Sequence, residues 1–215
     1  MPMTKLHDYV RNHDHIIWDW NGTLLNDLKG CVTTINQVLS EWNLHPISEE
    51  TYKAVFGFPV MKYYEKIGFD FSKHDWEKVA ARFIEIYKEE AKKSSLFHGV
   101  ENFLKDLKKS DKRLSILSAS HEKILHDQLQ SHNIAHLFDG IYGLNNHYAT
   151  SKVERGQELI REIQVPREKT LLIGDTDHDM DVARELGIDV LIIADGHQSY
   201  ERLSTKKGQV LKSRY

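Results

Sequence analysis

A single cysteine, Cys31, stands in 215 residues, so the chain cannot close an internal disulfide and fits a reducing compartment. Proline is scarce, with 4 residues, and the 12 glycines follow no period, which excludes collagen-like and proline-rich extended structure. No apolar run approaches the ~20 residues of a membrane-spanning helix. The opening segment, MPMTKLHDYVRNHDH, is too polar for a secretory signal. A large charge of either sign is missing too. Lys and Arg number 29 against 32 Asp and Glu, a formal net charge of -3, which argues against bulk attraction to nucleic acid or anionic membrane. The expected setting is therefore cytoplasmic, with neither nucleic acid nor membrane as a partner. What remains is ordinary globular composition, 40% hydrophobic and 28% charged, long enough for one domain or for a core carrying an insert.

Short apolar segments bounded by polar residues read as buried strands: His15–Trp20, Arg113–Ser118, Gly140–Gly143, Thr170–Gly174 and Asp189–Ala194. Helical patterns separate them. Val100, Phe103, Leu104 and Leu107 share a face, as do Leu159, Ile160 and Ile163 in a helix starting near Lys152. Met180, Ala183 and Leu186 close another, with Gly187 as its stop. Strands alternating with helices predict an α/β fold with a mostly parallel sheet flanked by helices. Between Leu28 and about Phe97 no convincing strand is found. Helical stripes fill that stretch, the strongest being Trp76, Val79, Ala80, Phe83 and Tyr87. The expected organisation is a core of residues 1–27 and 98–215 and an α-helical insert at 28–97.

Ligands of open parallel sheets bind beyond the carboxyl ends of the strands. There the sequence puts Asp19 after the first strand, Ser118 at the end of the second, and Asp175, Asp177 and Asp179 after the fourth, with Lys152 at the start of a helix. Clustered carboxylates repel one another, by ~4 kcal/mol for two charges about 4 Å apart at an effective dielectric near 20, so they call for a hard divalent cation such as Mg2+. One carboxylate then serves as nucleophile while a lysine and a hydroxyl hold an anionic substrate. That combination suits phosphoryl transfer.

These same residues carry a resemblance. The segments IIWDWNGTLLND, RLSILS, SKVERGQEL and LLIGDTDHDMDVARELG are similar, in order, to the four motifs of the haloacid dehalogenase superfamily. The helical insert after the first motif resembles the cap of its phosphoglycolate-phosphatase-like branch. By that resemblance the fold is a Rossmann-like core with a helical cap, and the activity is Mg2+-dependent hydrolysis of a small phosphorylated metabolite. Asp19 would be the nucleophile that forms an aspartyl-phosphate. Asp19, the backbone carbonyl of Asn21, Asp175 and Asp179 would hold Mg2+. Ser118 and Lys152 would bind the phosphoryl group, with Gly22, Thr23 and Ala119 shaping that end of the site. Phe56 and Gly57, in FGFP, resemble the substrate loop of such caps, and Lys53 would meet an anionic leaving group.

One position departs from the pattern. Where family phosphatases carry a second aspartate as general acid and base, this chain has Asn21. Such assistance is worth ~10²–10⁴-fold, so substrates with good leaving groups are favoured and an aspartate restored at 21 is expected to accelerate phosphomonoester turnover. Two other readings stay open. One is a phosphonoacetaldehyde-hydrolase-like enzyme that cleaves a P–C bond, which needs a cap lysine such as Lys53 or Lys62. The other is a low-activity or regulatory pseudo-phosphatase that binds a phosphorylated ligand. The acidic GDTDHD segment argues against a metal-free dehalogenase.

Plainer roles compete at several positions. Asp175 and Asp179 also suit the cap of the helix before Met180, Ser118 and above all Ser120 suit a helix cap, and Lys152 suits a solvated helix start. The FGFP aromatics suit cap packing. Trp18 is expected in the sheet, while Trp20 could line the cleft. The 13 histidines form no metal pattern and read as surface residues, His197 as part of a turn, and the tail KKGQVLKSRY as a solvated basic end.

Overall fold

His15–Trp18 form β1, and all four residues are buried, as a strand covered on both faces requires. The computed structural model describes residues 3–144 and 151–215; the first two residues of the polar opening segment lie outside it. In chain order, α1 (Thr4–Val10) precedes β1, and the short β2 (Leu25–Asn26) follows. Four helices come next: α2 (Leu28–Glu41), α3 (Glu49–Val55), α4 (Val60–Lys66) and α5 (Trp76–Ala91). Then come β3 (Ser95–Leu96), α6 (Val100–Lys109), β4 (Arg113–His121), α7 (Glu122–Ser131), β5 (Gly140–Leu144) and α8 (Lys152–Ile163). The chain ends with β6 (Thr170–Gly174), α9 (Asp177–Leu186), β7 (Asp189–Ile193), α10 (Tyr200–Leu203) and β8 (Gln209–Leu211).

The main sheet has the order β5-β4-β1-β6-β7-β8, and every pairing in it is parallel. This is the expected α/β architecture. Successive β1 side chains point to opposite faces. Ile16 and Trp18 join the core formed with α1, α6 and α7, whereas Ile17 packs with Leu159, Val182 and Leu186 of α8 and α9. Helices α2 to α5 gather round a separate apolar core that includes Ile35, Leu39, Tyr64 and Val79. No helix among the described residues is long and apolar enough to cross a membrane.

Three readings of the sequence are corrected. Ser95–Leu96, inside the stretch expected to lack strands, pairs antiparallel with β2, so the chain enters and leaves the four helices side by side. A two-residue strand carries too little periodicity to be seen in sequence. Gln209–Leu211, read as part of a solvated tail, is the sheet's edge strand, and Arg214 beyond it is 1% exposed. Trp20 does not line the cleft; it is fully buried and donates its indole N–H to Gln128 at 2.7 Å.

Candidate active site

The strand order reverses at β1: the chain moves to β4 and β5 on one side, then to β6, β7 and β8 on the other. A crevice opens at such a switch point, beyond the carboxyl ends. β1 pairs with β4 and β6 in the same register, Trp18 lying beside both Ile116 and Ile173. Asp19, Ser118 and Asp175 therefore arrive at one level from three adjoining strands. Carboxylate oxygens of Asp19, Asp175 and Asp179 lie within 4.8 Å of one another, and all three residues are buried.

The turn after Asp19 is held by its own backbone. The Trp20 carbonyl accepts from the N–H groups of Leu24 and Leu25 at 2.9 and 3.0 Å. Gly22 has φ +70°, and a Cβ there would fall 2.2 Å from Asp175 Oδ2, so only glycine lets the turn close onto that acid. Thr23 is buried beneath, its hydroxyl 3.3 Å from Asp175 Oδ1 and 3.5 Å from Asp19 Oδ2. From the far side Gly196 approaches as closely: a Cβ there would also fall 2.2 Å from Asp175 Oδ2.

Lys152 is no solvated helix-start residue. The Ser151–Glu154 capping box starts α8 and fixes it in the crevice. Its ammonium is buried between Asp19 Oδ1 at 2.5 Å and Asp179 Oδ1 at 2.6 Å. Burial opposes the charge, but Asp179 and Asp19 more than offset it and raise the Lys152 pKa. Asp179 also caps its helix. Its other oxygen accepts from the Thr176 N–H and hydroxyl at the start of α9. Burial pushes Asp179 up, yet Lys152 and Thr176 bring it below the usual carboxylate range. Burial lifts Asp19 to about 6, with Asp179 adding and Lys152 opposing. Burial likewise lifts Asp175 to about 7, with Asp19 and Asp179 adding and His197 opposing. A cluster whose acids resist ionisation in its own company is one that a cation would stabilise. Asp177 points elsewhere, to Gln198 and to Arg202 at 2.8 Å.

Behind the turn lies a network absent from the sequence reading. Asp27 is fully buried. It accepts from the Gly22 N–H at 2.9 Å, the Asn21 amide at 2.8 Å, the Tyr87 hydroxyl at 2.6 Å and His197 Nε2 at 3.1 Å. Burial would raise its pKa, but His197 and these donors hold it down near 2. Burial opposes the charge on His197, and Asp27 with Asp175 overrides it, lifting the imidazole to about 9. His197 is thus a buried residue paired with Asp27 rather than a surface turn residue. Its backbone N–H donates to Asp175, and its ring Nδ1 faces the Tyr52 hydroxyl at 3.1 Å. His15, 1% exposed, is a second histidine misread as a surface residue. The one signal for His197 was its place after β7, a strand end facing the same crevice. Tyr87 and Asp27 gave none, because they meet only in three dimensions.

Asn21 is saturated. Its amide donates to Asp27 and to the Tyr87 hydroxyl at 2.7 Å, and its carbonyl oxygen accepts from the Ser120 hydroxyl at 2.8 Å. Ser120 is therefore not the helix cap; β4 runs on to His121, whose Nδ1 accepts from Lys123 N–H at the start of α7. Ser118 Oγ accepts from the Ser120 N–H at 3.1 Å.

A cavity of about 330 Å³ opens over the acids. Asp19, Asn21, Ser118, Ala119, Lys152, Asp175 and Asp179 are on its wall, as is Phe56. Gly22, Thr23 and Gly57 are not. Gly57 is buried against Arg202, whose Nη2 would lie 2.8 Å from a Cβ there. Lys53 and Lys62 are also absent from the wall. The opposite side is aromatic and aliphatic, contributed mainly by the segment around α4 and by α5.

Fold, motif order and acid cluster define a class. The model of the haloacid dehalogenase-like hydrolase family matches residues 16–193. The chain belongs to that family. Among curated proteins it is similar to the tyrosine-protein kinase PtkA of Mycobacterium tuberculosis, 24% identical over 183 residues, covering 85% of this chain and 62% of that protein's length. The solved structure of that kinase has a TM-score of 0.78 at 22% identity and covers 94% of each chain. A predicted phosphatase from Clostridium acetobutylicum gives 0.77 at 17% identity, covering 94% of each. A predicted phosphoglycolate phosphatase from Haemophilus somnus gives 0.74 at 20%, covering 94% of this chain and 95% of its own. At these identities the likeness is one of fold.

Proposed function

We propose that the protein is a Mg2+-dependent phosphohydrolase acting on a small phosphorylated molecule through an aspartyl-phosphate on Asp19. The observation that supports this is the convergence of three buried carboxylates within 4.8 Å, beside Lys152 and Ser118, at the ends of adjoining parallel strands. The donor set fits a hard cation: all side-chain ligands are carboxylate oxygens, and burial with mutual repulsion raises two of them. Asp19, Asp175, Asp179 and the backbone carbonyl of Asn21 would hold Mg2+, whose charge would shield the nucleophile from the anionic substrate. Lys152 orients Asp19 and offers positive charge to the phosphoryl oxygens, and Ser118 offers a hydroxyl. Asp19 attacks phosphorus and the leaving group departs; water then attacks the aspartyl-phosphate and frees phosphate. Residues 28–97 would act as a cap over the core of 1–27 and 98–215, closing to exclude water and opening to exchange substrate.

Asn21 has no proton to give, so departure relies on the leaving group itself. The P–C-cleaving alternative loses ground because neither Lys53 nor Lys62 reaches the cavity wall. The kinase names among the relatives suggest a hydroxyl acceptor in place of water. That reaction would share the first step, so ATP belongs in the test panel.

Acetyl phosphate, whose leaving group needs no acid, is the deciding substrate. Wild-type protein with Mg2+ is expected to hydrolyse it, and Asp19→Asn to lose at least ~10³-fold. Silence toward acetyl phosphate, ATP and phosphomonoesters alike would overturn the enzyme reading in favour of a phosphate-binding protein.

A further inference from the structure

We infer that the preferred substrate is a small aryl phosphate, a phosphoric monoester of a phenol, rather than an ester carrying a second carboxylate such as phosphoglycolate. The inference rests on the phosphohydrolase reading and narrows its substrate class. Two independent observations carry it.

The first is the wall facing the acids. Phe58, Tyr64, Phe83, Ile84 and Ile124 line the same cavity as Asp19 and Ser118. Ile124 comes from α7 of the core side and Phe83 and Ile84 from α5, so an apolar group would be gripped from both sides. Among the described residues, the wall's lysines are two. Lys152 is committed to Asp19 and Asp179, and Lys88 is solvent-exposed. The buried His197 ring is committed to Asp27. A leaving group with its own carboxylate, set against Phe58, Phe83, Ile84 and Ile124, would meet an apolar patch, and burying an unpaired charge there is unfavourable. A ring would be welcome there, because aromatic groups bury large areas and stack on other rings. The volume, about 330 Å³, is at the small end for ligand cavities and fits a free ester rather than a length of polypeptide.

The second is the absence of an acid. Asn21 spends both amide hydrogens and its carbonyl oxygen on Asp27, Tyr87 and Ser120. With no proton offered from position 21, a leaving oxygen that is stable as an anion is favoured. Phenols, like the tyrosine side chain, ionise near pH ~10, far more readily than aliphatic alcohols. Asp19 forms its bond to phosphorus as the aryl O–P bond breaks, and the bonding pair leaves on the phenolate. The phenolate takes its proton from solvent. Water then attacks the aspartyl-phosphate, regenerating the Asp19 carboxylate and releasing phosphate and a proton.

The test separates the wall from leaving-group acidity by using phosphonates, which are not cleaved. Calorimetric titration of the wild-type protein with Mg2+ is expected to show benzylphosphonate binding at least tenfold tighter than methylphosphonate and phosphonoacetate. Ile84→Lys is expected to erase that preference and to favour phosphonoacetate. In turnover, phenyl phosphate should exceed phosphoglycolate in kcat/KM by at least a hundredfold. Phosphonoacetate binding as tightly as benzylphosphonate to the wild type would overturn the inference, whatever the variant does. A phosphotyrosine peptide turned over faster than phenyl phosphate would overturn its small-molecule part. Acetyl phosphate keeps the two readings apart. If it is hydrolysed without any aryl preference, only the substrate class falls. If it is not hydrolysed, the catalytic reading falls and the phosphonate titration still decides the wall.

Discussion

Asn21 sits 2.8 Å from a buried carboxylate, and that distance changes what an aspartate at this position would do. Asn21→Asp alone would set two carboxylates in contact. A repulsion of ~4 kcal/mol at about 4 Å and an effective dielectric near 20 is the scale of the cost. The simple expectation that the single variant accelerates turnover therefore gives way to a paired one. Asn21→Asp is expected to lower Tm. Asn21→Asp with Asp27→Asn restores the donor and acceptor, recovers part of the loss, and raises turnover of alkyl phosphomonoesters tenfold or more. Thermal unfolding and a steady-state assay read both outcomes, and unchanged turnover in the double variant would mean that the proton comes from another group. Asp19, Asp175, Asp179, Ser118 and Lys152 were legible in the sequence because each follows a strand or opens a helix at a motif position. Asp27, Tyr87 and His197 were not. They come from three distant segments, and a hydrogen-bond network leaves no periodic trace.

At the scale of elements, the C-terminal edge strand does more than widen the sheet. β8 brings Arg214 under the Asn21–Thr23 turn, where its guanidinium donates to the Gly22 and Thr23 carbonyls. The same group pairs with Asp195 at 2.6 Å and lies 3.5 Å over the Phe97 ring. Arg214→Met should cost about 3 kcal/mol, the scale of breaking a buried pair, since it leaves two turn carbonyls without their donor and Asp195 with only the backbone N–H of residue 214. Urea denaturation measures that loss. Because the turn positions Asp19, kcat should also fall in protein still fully folded. A stable Arg214→Met protein with normal kcat would show the tail to be dispensable. Sequence placed the long strands well, because four to six apolar residues between polar ones mark a buried strand. It missed β3 and β8, whose few ladder bonds depend on neighbours already in place.

Two outcomes belong to the whole molecule. Asp175 is raised by burial and by its acidic neighbours, so neutralising it relieves the metal-free protein. Mg2+ is expected to raise the Tm of the wild type by several degrees, and Asp175→Asn is expected to raise Tm without Mg2+ and to abolish that rise. A Mg2+ shift that survives in the variant would remove Asp175 from the ligand set. His15, at the start of the central strand, makes its own contribution to acid sensitivity. Burial lowers it to about 4, with Asp139 opposing and Arg113 adding. The unfolded chain takes this proton near 6.5 and the folded one only near 4, so the contribution of His15 to stability falls by on the order of 3 kcal/mol as pH falls through that window. Relative to His15→Asn, the wild type should lose stability more steeply between those limits, and parallel denaturation curves would exclude His15 as the cause. The sequence by itself determined the α/β class, the helical insert and the acids after β1 and β6, since local periodicity and contiguous motifs are written residue by residue. Only the tertiary structure decided that Asn21 is locked by Asp27, that His197 is buried against Asp27, and that an apolar patch faces the acids across the cavity. Those properties arise from groups far apart in the chain, whose charge and hydration are set by what packs against them.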